Sequence, residues 1–272
     1  MRLALYQGPP SDVEVRRPAD ARDAYVAAIS AAAATAEADL LICPEMSATG
    51  YNIGAVAVAE LAEAADGPLF QRLSALARSH RIALVYGYPE LAADGIFNAL
   101  QAIGPDGARL AGYRKCHLFG ELDRSLFAPG AEPLAQFTLD GWRVGLLTCY
   151  DVEFPEAVRV HALAGTDLLV VPTGLMSPFD VVSSLLVPAR ALESQLFIAY
   201  ANRTGTEGEV QYCGSSCVVG PDGRDVVRAG RDEQIVYAEI SADTLAVSRA
   251  DNPYLVDRRP ELYGRLTRPE PR

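Results

Sequence analysis

The stretch Arg143-Val-Gly-Leu-Leu-Thr-Cys-Tyr-Asp151 is an apolar run that stops at a cysteine and continues into polar residues. Such a run is typical of a buried strand, and the Val-Glu-Phe-Pro-Glu that follows predicts a turn and then a helix beginning near Phe154. Cys149 is therefore expected at the carboxyl end of a strand, where open α/β sheets keep their functional groups. A helix amino terminus near this thiol would favour its thiolate form.

This run belongs to an internal repeat. Arg2-Leu-Ala-Leu-Tyr-Gln7 resembles the segment from Arg143 to Cys149, and in each half a helical stretch leads to a second, similar strand. Another helix and strand follow, and then a hairpin whose proline and Asp-Gly pair supply the backbone angles that a tight turn needs. The second strands and the hairpin turns match in pairs: Asp39–Glu45 with Asp167–Thr173, and Gly104-Pro-Asp-Gly107 with Gly220-Pro-Asp-Gly223.

The repeat predicts the fold. Consecutive β-α-β units in each half give parallel strands, and each hairpin adds antiparallel strands at a sheet edge. Two similar sheets with helices on one face can bury their bare faces against each other, so we expect an α/β fold: a four-layer α-β-β-α sandwich of two mixed sheets with an internal pseudo-two-fold repeat. Residues 1–250 would form this single domain. Residues 251–272, which contain prolines and paired arginines, would form an extended tail along a surface.

The composition excludes several classes of function. The chain has 272 residues and 50% hydrophobic content, enough for a large core, and its net charge of −11 argues against nucleic acid or an anionic membrane as a partner. It contains no apolar run of about eighteen residues that would cross a membrane, and the amino terminus is expected to be a strand rather than a signal peptide. Five cysteines, an odd number, argue against a disulfide framework and favour the cytoplasm.

Two more reactive side chains follow apolar segments as abruptly as Cys149 does. Glu45 follows Leu-Ile-Cys-Pro, and Lys115 follows Gly-Tyr-Arg. In the repeat, Glu45 matches Thr173 and Gln7 matches Cys149, and the carboxyl ends of these strands share one rim of the sandwich. Taken singly, a core cysteine, a capping carboxylate and a surface lysine would be simpler interpretations. Together they would supply a nucleophile, a general base and a cation for an oxyanion, which predicts amide hydrolysis.

Neither a metal nor a cofactor is predicted. Cys213 and Cys217 are spaced like a pair of metal ligands, but of the three histidines only His117 lies near any cysteine, so a ligand set is not evident. The chain lacks a glycine-rich loop that would hold a phosphate group. It also lacks the Cys-x-x-Cys pair of a thiol redox protein.

Three blocks of sequence resemble the signature blocks of the nitrilase superfamily, the carbon–nitrogen hydrolases, in type and order. They are Leu41-Ile-Cys-Pro-Glu-Met-Ser-Ala-Thr-Gly-Tyr51, Tyr113-Arg-Lys-Cys-His-Leu-Phe119 and Leu147-Thr-Cys-Tyr-Asp-Val-Glu-Phe-Pro-Glu156. The similarity covers nearly the whole chain. It implies a homodimer or a larger homo-oligomer, with the tail at a subunit interface.

The resemblance also assigns roles to residues. It implies that Cys149 is the nucleophile, Glu45 the general base and Lys115 the positive group beside the tetrahedral intermediate. The family has a further acidic residue six positions before a Pro-Gly pair that follows the lysine block. Here that position is Asp123, which is shorter than the family's usual Glu, and Glu121 is the alternative.

The substrate site is expected to be small and mostly apolar. Tyr150 and Thr173 would line it, with Tyr51, Met176 and Asn202 close by. The Tyr-Asp pair after the cysteine resembles the aliphatic amidases of the family. We therefore predict hydrolysis of a small aliphatic carboxamide to a carboxylic acid and ammonia through a cysteine thioester acyl-enzyme.

Other functions stay open at this point. Hydrolysis of an N-carbamoyl compound or of a dicarboxylate ω-amide would need a cation for the substrate carboxylate, and Arg203 and Arg190 are the candidates. Nitriles are a further class of substrate. A non-enzymatic scaffold is the alternative from another class, and the joint presence of Glu45, Lys115 and Cys149 argues against it.

Overall fold

Two six-stranded mixed sheets form the centre of the structure within residues 1–9 and 18–267, the part of the chain that our computed structural model describes. The first sheet contains, in spatial order, β14 (Gln234–Glu239), β1 (Arg2–Gln7), β2 (Leu40–Ile42), β3 (Ala83–Ala92), β4 (Gly95–Ile103) and β5 (Arg109–Arg114). The second contains, in the corresponding order, β6 (Ala135–Leu139), β7 (Trp142–Leu146), β8 (Leu168–Pro172), β9 (Phe197–Ala201), β12 (Cys217–Val219) and β13 (Asp225–Arg228). A short ribbon of β10 (Thr206–Glu207) and β11 (Val210–Gln211) lies outside both.

The order of the strands confirms the predicted pseudo-two-fold repeat. In each sheet three parallel strands, β1-β2-β3 or β7-β8-β9, carry an antiparallel hairpin on one side. On the other side each sheet has an antiparallel edge strand, β14 or β6, which the sequence did not reveal. The two hairpin turns are equivalent, because Gly107 and Gly223 adopt φ values of +81° and +75° after the same Gly-Pro-Asp sequence.

Helices cover the outer face of each sheet. The described helices are α1 (Pro18–Thr35), α2 (Gly54–Leu61), α3 (Pro68–His80), α4 (Gly120–Arg124), α5 (Pro155–Leu163), α6 (Val187–Ser194), α7 (Ala242–Asp251) and α8 (Tyr254–Asp257). A π-helical turn, Val182–Leu186, leads into α6, and a 3₁₀ turn, Cys149–Glu153, leads towards α5. Among the described residues, none of the helices is long and apolar enough to cross a bilayer.

Alternating side chains of the central strands fill two different layers of the core. Leu3 and Leu5 pack in the layer between the two sheets, whereas Ala4 and Tyr6 pack with the apolar side chains of α1 and α3. Successive residues of a strand point to opposite faces, so a strand that is buried on both sides must be apolar throughout. This arrangement confirms the α-β-β-α sandwich.

The tail differs from the extended chain that its prolines suggested. After α7, the described residues form α8 and two 3₁₀ turns, Pro260–Leu262 and Gly264–Thr267. Pro253 and Pro260 stand at the start of α8 and of the first turn, where the fixed φ of proline suits a helix start. Residues 268–272 of the predicted tail lie outside the described part. The boundary at residue 250 and the place of the tail at a subunit interface stay predictions.

Candidate active site

The fold brings three reactive side chains to one rim of the sandwich. Glu45 follows the end of β2, Lys115 follows the end of β5, and Cys149 follows the end of β7 at the start of its 3₁₀ turn. Glu45 and Lys115 are 0% exposed, and Cys149 keeps partial exposure. The site is therefore a buried charged group with one side open to a ligand.

Lys115 is the centre of the charged group. Its Nζ lies 2.8 Å from Glu45 Oε1 and 2.7 Å from Asp123 Oδ2. Burial by itself lowers the pKa of this ammonium group, but the surrounding negative groups, Glu45 first among them, outweigh burial and raise the pKa well above its ordinary value. An ammonium group has three N–H donors, and these two carboxylates use two of them. One donor of Lys115 remains for a substrate oxygen.

Asp123 reaches Lys115 despite being shorter than the glutamate that the resemblance led us to expect. It lies on α4, a helix of five residues, and its carboxylate accepts hydrogen bonds from Tyr51 Oη at 2.8 Å and from the Phe119 amide at 2.8 Å. Glu121 lies on the same helix and is exposed to solvent. Of the two acidic residues that the sequence left open, Asp123 is the one in the charged group.

Glu45 has one oxygen that is held and one that is free. Oε1 accepts hydrogen bonds from Asn98 Nδ2 at 2.7 Å and from Lys115, whereas Oε2 is buried and has no hydrogen-bond partner among the described residues. Gly174 faces this oxygen, since a Cβ atom there would lie 3.2 Å from Oε2. Asn98 was not predicted from the sequence. Its signal was an amide inside the largely apolar strand β4, which also contains Gln101, at a place where a polar group needs a buried partner.

Cys149 is held in a constrained turn. It has φ of +46°, which is rare for a residue with a side chain, and Thr148 and Asp151 form a reciprocal capping box around the turn. Burial and the Glu45 carboxylate raise the pKa of the thiol, although Lys115, the Thr173 hydroxyl and the Gly174 amide act in the opposite direction. Burial and Glu45 thus oppose the thiolate form that a nearby helix terminus was expected to favour, and a base beside the thiol would help it to ionise.

Asp151 ties the cysteine turn to the lysine segment, and the sequence analysis did not assign it a role. It is buried, and its carboxylate contacts Tyr113 Oη at 2.8 Å, the His117 amide at 2.8 Å and His117 Nδ1 at 2.7 Å. The His117 ring in turn stacks on Phe154, with ring centroids 3.9 Å apart. Asp151 and Phe154, which follow Cys149 in the chain, are thereby fixed to the segment that carries Lys115.

Some of the predicted pocket residues lie at the site, and others hold the surrounding main chain. Tyr150 packs edge-on against Phe119, and Thr173 lies beside the thiol and donates a hydrogen bond to Tyr200 Oη at 3.1 Å. Asn202 instead holds the main chain, because its amide bonds to Leu175 in both directions at 2.8 and 3.2 Å. Tyr51 contacts Asp123 as described above. Met176 is half-buried, and its main chain pairs with that of Tyr212 next to the site.

Both arginines that could have bound a substrate carboxylate are engaged by the protein. Arg203 is fully buried and donates from Nε to the Glu45 carbonyl at 3.0 Å and from Nη2 to the Met46 carbonyl. Arg190 donates to the carbonyls of Val152 and Glu153 at 3.2 and 2.8 Å and pairs with Glu193. They hold the segments that carry Glu45 and Cys149. Within the ranges that the structure describes, no cluster of His, Cys, Asp and Glu side chains is arranged to hold a metal ion.

Comparison with known proteins shows which family the chain resembles. A family model for carbon–nitrogen hydrolases matches residues 2–250. A Pseudomonas protegens protein described as "hydrolase in pqqF 5′ region" is 47% identical over 269 residues, which cover 98% of this chain and 92% of that protein. An (R)-stereoselective amidase from a Pseudomonas species is 37% identical over 235 residues, with 85% and 83% covered.

A solved structure gives the same result for the fold. The crystal structure of an amidase from Nesterenkonia sp. superimposes with a TM-score of 0.81 at 33% identity, over 98% of this chain and 96% of that chain. Other structures of that amidase show a variant in complex with butyramide and another variant with the acetamide moiety of fluoroacetamide added covalently at its active-site cysteine.

Proposed function

The chain belongs to the carbon–nitrogen hydrolase family of the nitrilase superfamily and is a hydrolase of the amidase type, and we propose that it cleaves small aliphatic carboxamides through a thioester on Cys149. The observation that carries this proposal is the free oxygen of Glu45. One carboxylate oxygen is fixed by Asn98 and Lys115, and the other is unpartnered beside Gly174, whose amide acts to lower the pKa of the Cys149 thiol. Glu45 would thus act as the base for a thiol whose pKa is raised by burial.

In the first step Glu45 Oε2 takes the thiol proton, and the sulfur of Cys149 forms a bond to the amide carbonyl carbon. The carbonyl oxygen becomes an oxyanion, which the third N–H donor of Lys115 and the main-chain N–H of Tyr150 would hold. Loss of one such donor costs on the order of a hundredfold to a thousandfold in turnover.

In the second step the carbon–nitrogen bond breaks. The proton that Glu45 received passes to the leaving nitrogen, so ammonia departs and an acyl thioester remains on Cys149. Glu45 then takes a proton from water, the hydroxide attacks the thioester, and the carbon–sulfur bond breaks to release the carboxylic acid. The proton returns to the sulfur, so the protein ends in its starting state and Asp123 serves throughout to hold Lys115.

The aromatic and apolar walls support a small acyl group as the substrate class. Tyr51, Phe119 and Tyr150 surround the charged group, and Gly174 leaves open the space next to Glu45 that a side chain would fill. The complex of a variant of the Nesterenkonia amidase with butyramide is consistent with this class. Arg203 and Arg190 are engaged elsewhere, which argues against substrates that need a clamp for a second carboxylate.

Ammonia release from purified protein tests the proposal. The panel is acetamide, propionamide, butyramide, an aromatic amide, a dicarboxylate ω-amide, an N-carbamoyl amino acid and propionitrile, with Cys149→Ala as the blank. We expect rapid ammonia release from the short aliphatic amides and none with the variant. Circular dichroism should show that the variant keeps the wild-type fold. Turnover of only the carboxylate-bearing compounds would refute the substrate class. Turnover by Cys149→Ala would refute the mechanism.

A further inference from the structure

Acidic side chains outnumber the cations around Cys149, and the protein itself holds those cations in place. Lys115 is held between Glu45 and Asp123, and the guanidinium group of Arg190 is engaged by main-chain carbonyls and by Glu193. Arg203, which lies beside the Glu45 segment, donates to main-chain carbonyls, and its Nη1 is buried without a partner among the described residues, so a ligand does not reach it from solvent. A substrate that brings its own negative charge would therefore enter an acidic site without a partner.

Glu153 is the acidic group that the proposed mechanism leaves unused. It is the last residue of the 3₁₀ turn that begins with Cys149, and it is partly exposed. Its main-chain carbonyl accepts a hydrogen bond from Arg190 Nη2 at 2.8 Å, which fixes the backbone of the turn. Among the described residues, its carboxylate has neither a hydrogen-bond donor nor an ion-pair partner, whereas Glu45, Asp123 and Asp151 each have at least two donors.

The charge of this carboxylate is coupled to residues of the site. Burial raises the pKa of Glu153, and the charges of Lys115 and Arg190 oppose that rise. The negative charge of Glu153 in turn contributes to the raised pKa of Tyr200, a fully buried residue that hydrogen-bonds with Thr173 beside the thiol. A partly dehydrated carboxylate without a donor gains most from a ligand that supplies one.

We propose that Glu153 is a specificity-determining residue that selects amides whose acyl portion carries an ammonium group or another strong hydrogen-bond donor, and that rejects acyl portions bearing a carboxylate. This inference rests on the proposed amidase function and extends it from the size of the acyl group to its charge. The turn places the nucleophile and Glu153 together, so one end of a short acyl chain would lie at the thiol while the other reaches the carboxylate.

Three amides of similar length test the inference. β-Alaninamide and butyramide have the same shape, but only the first carries an ammonium group, and succinamate carries a carboxylate. We expect the wild type to show a kcat/KM for β-alaninamide at least about tenfold above that for butyramide, equivalent to about 1.4 kcal/mol, with succinamate the poorest of the three. In Glu153→Gln the ratio of β-alaninamide to butyramide should fall towards one, and in Glu153→Arg the preference should move to succinamate.

The ratio of the two kcat/KM values does not depend on a general loss of activity in a variant, because such a loss lowers both values equally. Glu156→Gln is the matched control, because Glu156 is exposed at the start of α5 and the change removes the same charge three residues away. A wild type that treats β-alaninamide and butyramide alike would overturn the inference, whether or not the variants fold. So would a Glu153→Gln enzyme that keeps the wild-type ratio. Silence of the wild type on all three amides would instead refute the proposed function on which the inference rests.

Discussion

Glu45→Gln should separate the proposed catalytic role of Glu45 from its structural one. The glutamine carbonyl can take the position of Oε1 and keep the hydrogen bonds from Asn98 and Lys115, while its amide nitrogen takes the position of the unpartnered Oε2. Only the charge and the ability to accept a proton are lost. Because burial and the Glu45 carboxylate raise the pKa of the Cys149 thiol, we expect kcat to fall by about 10²–10⁴-fold, the range typical of general-base catalysis.

The same substitution should cost little stability, although it removes half of a buried ion pair. At an effective dielectric constant of about 20, the attraction between Lys115 and Glu45 at 2.8 Å is about 6 kcal/mol. The two N–O distances allow at most about 5.5 Å between the Glu45 and Asp123 oxygens, so their repulsion offsets at least about 3 kcal/mol of that attraction. Burying the carboxylate costs several kcal/mol more. Neutral glutamine leaves Lys115 paired with Asp123, and we expect the free energy of unfolding to change by less than about 1.5 kcal/mol.

Two measurements on one protein sample check this prediction. Ammonia release from butyramide gives kcat, and urea denaturation followed by the fluorescence of Trp142 gives the free energy of unfolding. Glu121→Gln is the control, since Glu121 is exposed on α4 and should leave both quantities unchanged. If Glu45→Gln kept kcat within about tenfold of the wild type, Glu45 would not be the general base. If it lost more than about 3 kcal/mol, the pair would be a net source of stability and the electrostatic argument would be wrong.

Two further variants test the buried ionisable side chains. Lys115→Met leaves Glu45 and Asp123 facing each other without their shared cation, so we expect a loss of about 3–5 kcal/mol in urea denaturation at pH 7; a loss below about 1 kcal/mol would contradict the pairing. His161 gives a pH dependence, because burial lowers its pKa from 6.5 to about 4 and the folded state thus disfavours its protonated form. The contribution of His161 to the free energy of unfolding is complete above pH 6.5. It is lost as the pH falls towards 4, and the total loss is about 3 kcal/mol. Denaturation of His161→Gln across this range should show a correspondingly flatter profile, and an unchanged slope would exclude His161 as the cause.

The parts of the fold that depend on local sequence were predictable. Each parallel strand is an apolar run buried on both faces. Each Gly-Pro-Asp-Gly turn can be recognised from its local sequence alone. The edge strands β6 and β14 were not recognised, because they alternate between buried and exposed residues and carry weaker patterns. The tail was misread because proline both interrupts a long helix and starts a short one, and the sequence alone does not distinguish these roles.

The site was predictable only where its residues stand at strand ends. The position of Glu45, Lys115 and Cys149 follows from the topology, but the partners of these residues come from distant segments. Asn98 approaches from β4 and Asp151 reaches back to Tyr113 and His117, and neither contact has a local pattern. The choice between Asp123 and Glu121 depended on the orientation of α4, since residues two apart on a helix point in nearly opposite directions.

The pseudo-two-fold repeat raises the question of why the sandwich has one such site rather than two. Gln7 holds the position in the first half that Cys149 holds in the second, and every polar atom of its side chain is engaged: Oε1 accepts from the Ser216 amide at 2.9 Å, and Nε2 donates to the carbonyls of Gly230 and Asp232 at 3.0 and 2.7 Å. The loop that leads to β14 therefore closes the end of β1, where a second nucleophile would have stood. Thr173, the counterpart of Glu45, lies instead beside Cys149. Both halves thus contribute their second strand to the same site, and the repeat supplies the framework on which a single asymmetric set of reactive groups is arranged.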